Sequence, residues 1–146
     1  MTGFRFRLEK VLEWRRTELE LEEAKLQQRM GELRELDSER ARLEADGIRA
    51  EVEVRGWSPL SGADLEALAN YRQYVAGREQ QIAARRKEAR ARAEEQKNAV
   101  LEARRRCQLL ERLKERRQAE WQAAADRELE QLAAELHLAA CSRYGR

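Results

Sequence analysis

Leucine sets the period of this chain. Leu12, Leu19, Leu26 and Leu33 recur every seven residues, and Leu36, Leu43 and Ala50 extend a companion series. A seven-residue apolar repeat keeps one narrow stripe on one side of a helix, which is the pattern of a coiled-coil seam. Arg15, Glu22, Arg29 and Arg40 occupy other sites of that stripe, so charge interrupts it. In the second half, Leu68, Val75, Ile82, Ala89, Gln96, Ala103 and Leu110 form one series, while Ala93, Val100, Cys107 and Trp121 fall in the other.

Between the halves lies RGWSPLSGAD, Arg55 to Asp64, with Gly56, Pro59 and Gly62 in ten residues. Such a cluster breaks a helix. Ser61 followed three residues later by Asp64 has the form of a capping box that restarts one, with Ser58 before Pro59 as the other start. The signals predict helix one over about 4–55, a turn over about 56–61 and helix two over about 62–140. Gly77 falls inside helix two, where it costs about 1 kcal/mol against Ala and predicts a local bend.

A single helix cannot bury a narrow stripe alone, and the turn makes the other half of the chain its nearest partner. The predicted fold is all-α: a single-domain antiparallel two-helix coiled-coil hairpin over 1–146, with a C-terminal helical extension. Charge points the same way. Residues 17–53 hold six basic and twelve acidic side chains, and residues 84–118 hold thirteen basic and six acidic, so folding back lays acid beside base. With the turn centred near residue 58 or 59, Phe4 is expected opposite Leu113, and everything past about Lys114 projects unpaired. The first helix then spans roughly 70 Å at about 1.5 Å per residue.

Composition agrees. The chain is 40% charged with one Pro and few aromatics, and both charge signs are interleaved with regularly spaced Leu, which separates it from a disordered polyelectrolyte. No run approaches the ~20 apolar residues of a membrane span, and no apolar segment follows the N-terminal basic residues. A cytoplasmic protein is expected. One His, two Cys without metal-ligand spacing and no glycine-rich phosphate loop give no catalytic, metal or cofactor constellation, so no enzyme is expected. Cys107, on the seam, reads as a small hydrophobe. The basic runs Arg85-Arg86-Lys87, Arg104-Arg105-Arg106 and Arg116-Arg117 could contact phosphates. Helical geometry spreads each run around the axis among glutamates, so a solvated face or a partner for the acidic helix is the first reading and nucleic acid the alternative.

Aromatics are left over at both ends. In FRFRLEKVLEWRR, Phe4 shares the face of Leu8, Val11 and Leu12, whereas Phe6 points almost opposite and Trp14 lies on the flank. Trp121 is on the seam but past the expected end of helix one, so Phe6, Trp14 and Trp121 are expected to lack an intramolecular partner. Trp57, Tyr71 and Tyr74 gather near the turn, where they either seal the hairpin or form a contact patch.

The opening FRFRLEKVLEWRR, the segment YRQYVAGREQQI after the break and ERLKERRQAEW near the C-terminus together resemble the FliJ family of bacterial flagellar protein export. The resemblance spans essentially the whole chain. It implies a non-enzymatic stalk and chaperone-exchange component whose open end enters the hexameric export ATPase and promotes its assembly and activity. It further implies contacts with the export gate and with escort chaperones, no cofactor, no nucleic acid, and a cytoplasmic place held peripherally at the membrane by the export apparatus. On this resemblance, ring contacts fall to Phe4, Phe6, Arg7, Lys10, Trp14, Leu113 and Trp121, and gate or chaperone contacts to Trp57, Tyr71, Tyr74 and Arg78. Arg78 stands where the family pattern carries an aliphatic residue, and LAAELHLAA supplies Glu135 where an acidic pair is usual. The stalk proteins of virulence secretion systems share the architecture and remain the neighbouring alternative.

Overall fold

The computed structural model describes residues 3–145. It is all-helical among those residues: α1 runs Glu9–Arg55 and α2 runs Gly62–Tyr144, and the two are in contact. The break falls where the Gly/Pro cluster places it. At its near side Gly56 N donates to Glu53 O at 3.1 Å and Trp57 N to Val54 O at 3.1 Å, tightening the last turn of α1. At its far side the capping box forms in both directions. Ser61 N donates to Asp64 Oδ2 at 3.0 Å and Asp64 N donates to Ser61 Oγ at 3.1 Å. The Ser61 backbone N–H, and then its side chain, hold the Asp64 carboxyl below the usual aspartate range.

The chain separates into two compact units, Met1–Glu20 with Glu102–Arg146, and Leu21–Leu101. In the second unit, Leu36, Val54, Ile82, Ala89, Ala93 and Val100 are buried, the seam positions expected from the repeat apart from Val54. Acid on α1 meets base on α2: Glu51 with Arg72 at 2.9 Å, Glu39 with Arg78 at 2.6 Å and Asp37 with Arg86 at 2.7 Å. Two seam irregularities also find each other, since Gln96 Nε2 donates to the Glu22 backbone carbonyl at 2.9 Å and to its carboxylate. Each helix fills the polar gap in the other.

In the first unit, Leu12, Ala103, Cys107 and Ala125 are buried. Glu9 pairs with Lys114 at 2.9 Å, Arg16 with Glu111 at 3.4 Å and Glu18 with Arg106 at 3.6 Å. Within each unit the partner on α2 falls in number as the residue on α1 rises. Side chains around Cys107 are dense enough that burial, followed by the Glu111 carboxylate, pushes its thiol above the ordinary range.

Two expectations are corrected here. Helix one starts at Glu9, not at Phe4: residues 3–6 are non-helical, and Glu9 N donates to Phe6 O at 3.2 Å as the chain enters the helix. A carboxylate in the first turn suits the positive end of the helix dipole, which favours a start at this residue. Trp121 is not without a partner. A non-helical segment is not bound to the helical rise of about 1.5 Å per residue. From this non-helical start the Phe4 ring meets Trp121.

Candidate functional site

The N-terminal segment and the facing stretch of α2 build the most aromatic surface of the first unit. The rings of Phe4 and Trp121 lie 6.1 Å apart, tilted by 52°. That distance lies within the range of favourable aromatic pairs. Phe6, Leu8 and Leu113 line the same groove, and Arg5, Arg7 and Arg117 line it as well. Leu113 thus shares the groove with Phe4, although Phe4 takes Trp121 as its ring partner.

Phe6 is half-buried in this groove, so it too has intramolecular neighbours that the helical-wheel argument did not supply. The miss has the same cause as the misplaced helix start: a helical wheel assigns faces only to helical residues. Trp14 lies within α1, and there the flank position was legible. It is 57% exposed, with the Arg15 guanidinium 4.6 Å from the ring centroid, a cation–π contact. Lys10 is exposed on the same helix. Two of the chain's three Trp and both of its Phe thus stand in this unit with a basic rim around them.

The second candidate surface is in the other unit. Tyr71 and Tyr74 meet with ring centroids 6.3 Å apart. Tyr71 is half-buried in a cleft with Ile48 and Val75, whereas Tyr74 is exposed and lines a separate cleft with Arg78 and Glu39. Arg78 is held from two sides, donating to Glu39 Oε1 at 2.6 Å and to Gln81 Oε1 at 3.2 Å. Trp57 is exposed in the turn, and no ring contact joins it to the tyrosines among the described residues. The sequence places these three aromatics together; the structure pairs two.

Several members of the basic runs approach carboxylates. Arg105 approaches Glu102, Arg106 approaches both Glu102 and Glu18, Arg85 approaches Glu39, and Arg117 pairs with Glu120. Exposed pairs of this kind are each worth only about 0–1 kcal/mol. No helix of the described residues is long and apolar enough to cross a membrane. No family model matches this chain, and neither a curated protein nor a solved structure matches it.

Proposed function

We propose that the chain is an antiparallel two-helix coiled coil that serves, without chemistry of its own, as the stalk and chaperone-exchange component of a flagellar type III export apparatus. The observation that carries this reading is the aromatic and basic surface of the first unit. Phe4, Phe6 and Trp121 form a groove edged by arginines, and Trp14 stands exposed nearby in sequence. Trp and Arg dominate binding hot spots, and a basic rim steers association with an acidic partner. A ring ATPase with an acidic entrance supplies both complements. The opposite numbering order of the ion pairs within each unit supports the antiparallel arrangement.

Under this proposal Phe4, Phe6, Arg7, Lys10, Trp14, Leu113 and Trp121 contact the ATPase ring. Tyr74, with Arg78 and the neighbouring Tyr71 and Trp57, contacts the export gate or an escort chaperone. The protein would then work in the cytoplasm at the inner face of the membrane, held there by its partners. The test is reconstitution. Added to a purified hexameric export ATPase, the chain should raise ATP hydrolysis and favour ring assembly, and Tyr74→Ala should weaken capture of the soluble gate domain while leaving that stimulation intact. A chain that neither binds nor stimulates any such ATPase removes the proposal.

A further inference from the structure

We infer that the C-terminal part of α2 is a docking helix for a basic amphipathic helix of another protein, a site independent of the groove described above. Ala125 is 6% exposed and closes the buried series of the first unit. One turn later the burial stops while the apolar spacing continues: Leu129, Leu132 and Leu136 follow at steps of four, three and four, and Ala139 comes three residues after that. These positions share one face, because alternating steps of three and four track the helix repeat. Leu129, Leu132 and Leu136 are nevertheless 65%, 54% and 68% exposed. The seam is continuous with a buried interface and is left uncovered by the described residues.

Charge selects the occupant. Stepping around the helix from the seam centre, Glu128 and Glu135 fall on one edge, and Asp126 and Glu130 lie toward the other side. The one Arg or Lys in this stretch, Arg127, falls on the back of the helix, where its Nε donates to the Ala123 carbonyl at 3.2 Å. An apolar stripe bordered by carboxylates pairs with a helix that borders its own stripe with Lys or Arg. A second copy of the same seam would set carboxylate against carboxylate, which opposes self-pairing.

The test uses the full chain and two synthetic three-heptad peptides, both with Leu at the a and d positions, one with Lys and the other with Glu at e and g. The Lys peptide should bind measurably by calorimetry and the Glu peptide should not. Leu132→Glu with Leu136→Glu should weaken the Lys peptide by about tenfold or more, with helicity by circular dichroism unchanged because both side chains are exposed. Glu128→Lys with Glu135→Lys should transfer the preference to the Glu peptide. Three results would overturn the inference: no binding of the Lys peptide, equal binding of both peptides, or binding that the leucine substitutions leave intact. Concentration-dependent dimerisation lost in the leucine double variant would also overturn it, by making a second copy the occupant.

Discussion

Gln96 lies opposite Glu22 and gives it two hydrogen bonds, one to the backbone carbonyl at 2.9 Å and one to the carboxylate. Both residues interrupt an apolar repeat, and each is half-buried. A buried polar group is tolerated when it is paired and penalised when it is not, so this pair favours one register of α1 against α2 within its unit over the alternatives.

The first prediction follows from that carboxylate. The Gln96 hydrogen bond, and after it Lys25, hold the Glu22 carboxyl below its ordinary value of 4.5. A folded-state pKa below the unfolded one adds stability that is fully present above the unfolded value and is lost as pH falls through the folded one. Gln96→Leu should therefore raise the Glu22 pKa in a carboxyl NMR titration and flatten the acid limb of the stability curve below about pH 4.5. An unmoved Glu22 titration would show that the pair does not act on the carboxylate.

Gly77 offers a second test. A Cβ built there meets nothing within 4 Å, and the residue lies inside α2. Gly77→Ala should therefore raise stability by about 0.5–1 kcal/mol, read as a higher urea midpoint with an unchanged slope. A loss would mean that the glycine serves a bend or a close approach.

Burial predicts a steep contrast between two apolar truncations. Ile82 is essentially fully buried, so Ile82→Ala should cost about 2–4 kcal/mol. Leu129 is exposed, so Leu129→Ala should change stability by no more than about 0.5 kcal/mol. Equal losses would contradict the assignment of the core.

The cysteines should separate by reactivity. Cys107 is buried and its thiol is pushed upward by burial and by Glu111, whereas Cys141 is exposed. A thiol reagent should label Cys141 in the folded protein and reach Cys107 only on unfolding. Rapid labelling of both would place Cys107 at the surface.

Much of the architecture was legible because it is periodic. The leucine series, the Gly/Pro break and the Ser61–Asp64 cap each carry a local physical reason, and the helix ends beside the turn fall where those reasons put them. Charge asymmetry anticipated Asp37 with Arg86 and Glu18 with Arg106, because opposite charge is readable before geometry. What the repeat cannot carry is a departure from helix. Phe4 and Phe6 belong to a non-helical segment, and no periodicity tells which way such a segment runs, so the Phe4–Trp121 contact and the groove it makes were not legible. The tyrosines show a different limit: spacing put Trp57, Tyr71 and Tyr74 in one neighbourhood, but side-chain direction decided which of them touch.

The central claim concerns a surface, and Trp14 tests it most directly because the residue is exposed, on a helix, and outside the core. The measurement is the stimulation of a purified hexameric export ATPase by the wild-type chain and by Trp14→Ala, alongside the melting temperature of each. The account predicts a melting temperature within a few degrees of wild type and stimulation reduced by about tenfold or more, the scale of a lost hot-spot aromatic. Full stimulation by the folded variant would contradict it.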